Sequence, residues 1–283
     1  MPEPLCGAPL DLERQMPKLS RRTVIRDALV GAATTVAAGI GPARAAAAPK
    51  TFVLVHGAGG GGWQWRKVVD LLEQRGCKAF APTLTGLGER SHLLSKAVGL
   101  DTHVTDVVNV VKWEGLEQVC LVAHSYAGWP CGAAVDQIGD KIASIVWLDA
   151  FAPQNNRSLA DLIGEPLRRF LDDAAARGEL GMPLPARLSP ASINPRDEAL
   201  VISKLTPQPI ATYAQPLRYA GGLVKVAKKT YVRLPDFSNP LFDSAYAESK
   251  RDPAWSAVAF DRCGHFAMFD APERLADLLI QAA

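Results

Sequence analysis

Several chemistries are missing from this 283-residue chain before any is visible in it. Its five cysteines form no Cys-x-x-Cys pair, and no group of His, Cys, Asp and Glu has metal-ligand spacing. Neither a metal centre nor a dithiol redox site is therefore expected. An excess of one charge is missing too. Of 31 basic and 29 acidic side chains, six and four fall in the first 45 residues, which leaves 25 of each in the remainder. A neutral body gives no electrostatic footprint for nucleic acid. Long apolar runs are also absent. The most hydrophobic stretch near the N-terminus, Ala28 to Ile40, is too short and too rich in glycine to span a bilayer. No internal repeat occurs, and the glycine-rich run at 57–62 is followed by no Gly-Lys-Ser/Thr and forms no dinucleotide fingerprint. No cofactor is expected.

What remains is a chain with 48% hydrophobic and 21% charged residues, the balance of a globular protein long enough to bury one large core. Strand-like runs lie at Thr51–Val55, Lys78–Ala81, Gln118–Ala123, Ala143–Asp149, Thr230–Leu234 and Trp255–Phe260. Helical patterns lie near Gln64–Arg75, Asp101–Glu114, Tyr126–Gly139 and Pro272–Ala282, with Gly76 and Gly115 at expected helix stops. Alternating strands and helices predict an α/β fold, a mainly parallel sheet covered on both faces. Between Ala152 and Lys229 the alternation gives way to prolines and short amphipathic pieces such as Leu159–Ala176. A cap over the strand ends, at about 152–229, is the expected form of that stretch. It is too small for a core of its own.

The sharpest signal is Val119-Cys120-Leu121-Val122-Ala123-His124-Ser125-Tyr126-Ala127-Gly128. An apolar strand ends abruptly in a serine between small residues, and a helix pattern follows. Such a strand–turn–helix elbow lifts a serine hydroxyl above the end of a sheet. The usual flanking glycines are here Ala123 and Ala127, with Gly128 one place later. A second signal is His56-Gly57-Ala58-Gly59-Gly60-Gly61-Gly62-Trp63 after the first strand. Backbone N–H groups of such a loop can face a cavity and stabilise a developing oxyanion. Ala58 supplies one donor in this reading, and Tyr126, the residue after the serine, the other. A third is Arg262-Cys263-Gly264-His265-Phe266, which puts a histidine in the loop before the last helix, where a general base belongs.

These pieces, with Pro82-Thr83-Leu84-Thr85-Gly86-Leu87-Gly88-Glu89-Arg90-Ser91, Leu148-Asp149-Ala150-Phe151-Ala152-Pro153 and the run to Met268, resemble a known group from about Thr51 onward. It is the group of α/β-hydrolases that includes plant salicylate-ester esterases, hydroxynitrile lyases and bacterial carboxylesterases. The resemblance implies the α/β-hydrolase fold and a Ser–His–acid triad in the chain order Ser…Asp…His. Ser125 is then the nucleophile and His265 the base. Two residues compete for the acid. Asp149 ends an apolar strand, where a charge is costly without a partner. Asp236 follows the next strand near the acid position of the plant relatives, although Phe237 occupies the aligned slot. Asp149 is favoured.

The implied activity is hydrolysis of a small or aromatic carboxylic ester through an acyl-enzyme. Two alternatives are a hydroxynitrile-lyase-type lyase and a non-catalytic ligand receptor on the same fold. The lyases carry threonine after the oxyanion-loop histidine and lysine after the catalytic histidine, where this chain has Gly57 and Phe266. Among the other histidines, His124 is expected to pack beside the serine and His56 to be a structural hydrogen-bonder. His92 and His103 are expected on the surface or in loops. Trp63, Trp129, Trp147 and Phe151 are expected in the core or pocket wall.

Residues 1–45 read as an address label. Ser20-Arg21-Arg22-Thr23-Val24-Ile25 is a twin-arginine pattern, a weakly apolar stretch follows, and Ala43-Arg44-Ala45 offers small residues for cleavage. This resembles a signal recognised by the Tat export machinery, so the mature enzyme, residues 46–283, is expected in the periplasm or outside the cell.

Overall fold

The computed structural model describes residues 48–189 and 191–283. The expected leader lies outside the described residues. Six parallel strands form one sheet in the order β2-β1-β3-β4-β5-β6. They are β1 (Thr51–Val55), β2 (Lys78–Phe80), β3 (Val119–His124), β4 (Ile142–Leu148), β5 (Lys228–Arg233) and β6 (Trp255–Ala259). Helices in chain order are α1 (Arg66–Gln74), α2 (Leu100–Trp113), α3 (Gly128–Ile138), α4 (Leu159–Ile163), α5 (Glu165–Ala176), α6 (Pro195–Lys204), α7 (Ala211–Ala214), α8 (Pro240–Arg251), α9 (Ala267–Asp270) and α10 (Pro272–Ala282). Among the described residues, no helix is long and apolar enough to cross a membrane.

The central strands β1, β3 and β4 are apolar almost throughout because both sheet faces are covered there, whereas β5 begins with Lys228 and Lys229 and ends in Arg233. Side chains alternate across each strand. Val53 and Val55 of β1, Leu121 and Ala123 of β3, and Ile145 and Trp147 of β4 join one core with α2 and α3. Phe52, Leu54, Cys120, Val122, Val146 and Leu148 join the other with Val68 and Leu72 of α1 and Leu275 and Leu279 of α10. The chain runs from β1 outward to β2 and then returns to β3 on the other side of β1. The C-terminal ends of β1 and β3 thus flank a topological switch point, where open α/β sheets bind ligands.

Helix α8 is absent from the helices predicted above. Only Phe242, Ala245 and Ser249 are buried on it, so its apolar stripe is narrow. Its start was nevertheless marked, since Asn239 caps it by accepting from the Leu241 N–H and Pro240 occupies the first turn. Within the amphipathic stretch 159–176, Gly164 at φ 117° separates α4 from α5. Only glycine takes that backbone angle without strain.

The segment between β4 and β5 is fastened at its C-terminal half to the loops at the strand ends. Phe266 N–H donates to Ser192 O at 2.8 Å. Asp270 joins the histidine loop to α6. One of its oxygens accepts the Gly264 N–H at 2.7 Å, and the other accepts the Asn194 N–H at 2.9 Å and Nδ2–H at 2.7 Å. Asn194 is itself the N-cap of α6, where its Oδ1 accepts the Arg196 and Asp197 N–H groups.

Candidate active site

Ser125 follows the last residue of β3 and has φ 56°. A left-handed backbone costs a non-glycine residue about 1–3 kcal/mol and persists only where the surroundings impose it. Here they do. The Ser125 carbonyl accepts the Phe151 N–H at 3.1 Å, and the Phe151 carbonyl in turn accepts the Trp147 indole N–H at 3.2 Å. The Phe151 carbonyl lies so close to Gly128 that a Cβ there would collide with it. That contact explains why a glycine stands at 128.

Asp149 directly follows β4, the strand paired with β3, and also has a left-handed backbone, φ 44°. It is fully buried, and every polar contact it needs is present. Its N–H donates to Val232 O at 2.7 Å. Its Oδ2 accepts from His265 Nδ1 at 2.7 Å. Its Oδ1 accepts from Arg233 Nη1 at 2.6 Å and from the Leu234 N–H at 3.2 Å. Because Asp149 accepts at Nδ1, the neutral His265 ring carries its proton there and leaves Nε2 bare. Asp236, the competing acid, lies exposed in the turn after β5. Its neighbour Phe237 is the residue that meets the ring, with centroids 4.5 Å apart.

Arg233 escaped the sequence reading. An arginine ending a strand suggests a solvated tip, yet this one is 3% exposed. It is held by Asp149, by Asp243 Oδ1 at 2.8 Å, and by the carbonyls of Leu234 and Phe237 at 2.5 and 2.7 Å. Burial alone would make its guanidinium less basic. The facing carboxylates of Asp149 and Asp243 outweigh that and hold it above its ordinary range. It neutralises the buried aspartate and fixes the carboxylate plane, so that Oδ2 is the oxygen presented to His265.

The glycine-rich loop is set by His56. Its Nε2 accepts the Leu84 N–H at 3.0 Å, so the proton sits on Nδ1, which donates to Gly57 O at 2.8 Å. Gly60 N–H closes a turn on the same carbonyl at 3.3 Å. In a planar trans peptide the N–H points opposite to the C=O. Fixing the Gly57 carbonyl therefore aims the Ala58 N–H the other way, and that N–H makes no loop or turn hydrogen bond among the described residues. The Tyr126 N–H lies in the first turn of a 3₁₀ segment, Ser125–Ala127, where helix donors have no internal partner. A Cβ on Gly57 would come within 3.0 Å of both Ser125 Cβ and His124 Nδ1. A threonine, as the lyases have there, would press on the serine itself.

His124 donates from Nε2 to the His265 carbonyl at 2.9 Å and packs its ring 4.5 Å from that of His265. His103, expected at the surface, is instead fully buried on α2. Its Nε2 lies 2.8 Å from Thr85 O, which can only accept, so Nε2 carries the proton and bare Nδ1 accepts the Tyr126 hydroxyl at 2.9 Å. The helix periodicity could have shown this, because His103 shares a face with Leu100, Val104, Val107 and Val111. His92 is exposed.

Burial lowers His56 and His103 to about 4, partly opposed by the carbonyls of Gly57 and Thr85, and holds His124 well below the usual imidazole range. These rings are neutral in the fold but take up protons when unfolded, below pH 6.5. Their contribution to stability is full above that pH and is lost as the pH falls toward 4. For His56 and His103 together the loss at pH 5 should be about 4 kcal/mol. Urea unfolding at pH 7.5, 6 and 5 should show that decline, and a flat profile would rule it out.

Residues 52–278 match the model of the Alpha/beta hydrolase family, and the chain belongs to that family. It is 37% identical over 238 residues to the carbendazim hydrolyzing esterase of Nocardioides sp. strain SG-4G, which covers 81% of this chain and 97% of that protein. It is 25% identical over 248 residues to the putative methylesterase 13, chloroplastic, of Arabidopsis thaliana, 82% of this chain and 56% of that one. Among solved structures it is similar to an extracellular α/β-hydrolase from a Paenibacillus species, with TM-score 0.70 and 22% identity over 83% of this chain and 99% of that chain.

Proposed function

We propose that this chain is a serine carboxylesterase acting on small or aromatic esters, with Ser125, His265 and Asp149 as its triad. The observation that carries the reading is the short Asp149–His265 contact, together with a serine held in a left-handed elbow at the end of the strand paired with β4. His265 Nε2 takes the hydroxyl proton as Ser125 Oγ attacks the ester carbonyl carbon. The carbonyl oxygen becomes an oxyanion facing the Ala58 and Tyr126 N–H groups. Collapse of this intermediate expels the alcohol, which leaves with the proton from His265. Water then repeats the sequence on the acyl-enzyme, with His265 again as base, and releases the acid. Asp149 keeps the proton on Nδ1 and stabilises the imidazolium.

The rings of Phe237 and Phe242 lie 4.5 and 5.6 Å from His265, both nearly parallel to it. Phe242 is buried behind the ring, so Phe237, which is half-buried, is the part of this flank open to an aryl acyl or alcohol group, and the named activities of the carbendazim esterase and the methylesterase agree with ester cleavage. A panel of p-nitrophenyl esters, methyl esters of aromatic acids, lactones and carbendazim tests it. Turnover of at least one ester class is expected, and cyanide release from a cyanohydrin without ester cleavage would reject the reading in favour of a lyase.

Export by the Tat route rests on the twin-arginine leader. Changing Arg21 and Arg22 to lysine should strand the precursor in the cytoplasm. A native host that exports the double variant normally, or that keeps Met1 on the mature protein, would contradict it.

A further inference from the structure

Residues from the segment between β4 and β5 reach both candidate oxyanion donors. Gly59, next to Ala58, has φ 67°, and both of its backbone groups are taken by that segment. Its N–H donates to Gln208 Oε1 at 2.8 Å, and its carbonyl accepts the Thr206 N–H at 2.9 Å. Gln208 is 5% exposed. Its amide is fully oriented, because Nε2 donates to Thr212 Oγ1 at 2.8 Å and the Thr212 hydroxyl donates to Pro209 O at 2.7 Å. The Gln208 carbonyl accepts the Met182 N–H at 2.8 Å, which ties the residue down from its own backbone. On the other side, Tyr213 stacks on Tyr126 with centroids 5.6 Å apart and planes 12° from parallel. Tyr126 is pinned at its far end by His103.

We infer that Gln208 is a positioning residue for the oxyanion hole, and that the stretch Thr206–Tyr213 is part of its scaffold. This rests on the proposed serine-esterase reading and on Ala58 and Tyr126 as donors.

The turn 57–60 is held from two sides. His56 and the Gly60 N–H orient the Gly57–Ala58 peptide from one side. A left-handed glycine has a broad range of accessible backbone angles. Without an external acceptor, the Ala58–Gly59 peptide is free to rotate, and the turn that aims Ala58 loosens with it. Gln208 removes that freedom. Its side-chain oxygen takes up the Gly59 N–H, which the loop itself does not satisfy, and leaves the Ala58 N–H free. Pre-set donors matter most where charge appears only in the transition state. Gln208 should therefore affect turnover more than substrate binding.

The test is Gln208→Met, which keeps the side-chain length and removes both hydrogen bonds. Assayed with the p-nitrophenyl ester that the wild type turns over best, kcat should fall roughly 10- to 100-fold, less than the loss of a whole donor, with KM within about twofold. A trifluoromethyl ketone, which forms a hemiketal oxyanion on Ser125, should bind more weakly by the same factor. Affinity for the product acid should be unchanged. Thr212→Val, which leaves Gln208 in place but frees its amide, should shift kcat and ketone affinity the same way by a smaller factor. It also serves if the first variant does not fold. Unchanged kcat, or parallel losses for ketone and product acid, would overturn the assignment. Ser125→Ala run alongside separates the two failures. If that variant keeps its turnover, the esterase reading itself falls. If it is inactive while the Gln208 and Thr212 variants behave as wild type, only the role of Gln208 falls.

Discussion

Ser125→Ala should abolish ester hydrolysis while leaving the protein folded. In the proposed reading its hydroxyl is the nucleophile at the switch point between β1 and β3, and the side chains next to it in the chain are engaged elsewhere. His124 donates its only N–H to a carbonyl, and the Tyr126 hydroxyl is occupied by His103. Removing the nucleophile of a serine triad costs about 10⁶ in kcat. Folding should survive, because alanine keeps Cβ and loses one small polar group. Any penalty from the φ of 56° falls on both residues alike. Residual turnover above a few per cent in a preparation free of host esterases would eliminate Ser125 as the nucleophile.

Asp149→Asn should be nearly as damaging, on the order of 10⁴ in kcat by analogy with other triads. The amide can present its N–H₂ to His265 Nδ1, which would then have to accept and would move the ring proton to Nε2, where the base must be bare. The substitution also leaves the Arg233 guanidinium buried without its full counter-charge, so some loss of thermal stability should accompany the loss of rate. Asp236→Asn should do neither, because Asp236 is exposed in a turn. Comparing the two variants in rate and in thermal melting decides between them. If Asp236→Asn proves the crippled one, the acid role moves to Asp236 and Asp149 becomes a structural partner of Arg233.

The readability of these residues in the sequence follows from the range of the forces that place them. The serine elbow and the histidine loop are local devices. A strand, a sharp turn and small residues are enough to mark them. The parallel sheet was legible for the same reason, because burial on both faces makes its central strands β1, β3 and β4 apolar in sequence. Asp149 was half legible, since a carboxylate closing an apolar strand demands a partner but does not name it. Arg233 was not legible at all. What neutralises Asp149 is a pairing across adjacent strands that are 84 residues apart in the chain at this point, and no periodicity records it. His103 is a different failure. Its position on the buried stripe of α2 was open to reading, but a titratable side chain was assigned to water by residue type. Helix α8 was hidden by its polar composition, and only its cap announced it.

The Asp270 latch sets boundaries for anyone who would exchange pieces of this enzyme with a relative to change what it accepts. Replacing the whole β4–β5 segment would remove Asn194 and Ser192, and with them the hydrogen bonds that steady the loop carrying His265. It would also remove Thr206 and Gln208 from the glycine-rich turn. Such a chimera would lose its catalytic geometry together with its old preference, and the outcome would be mistaken for an incompatible substrate. Helices α4 and α5 carry no such ties. Their side-chain ion pairs, Arg168 with Asp161 and Arg169 with Glu165, close within the pair of helices. A graft over 158–176, which keeps Ser158 together with the Asp161 it caps, therefore leaves the histidine-loop and glycine-turn hydrogen bonds in place, and the crossover points belong there.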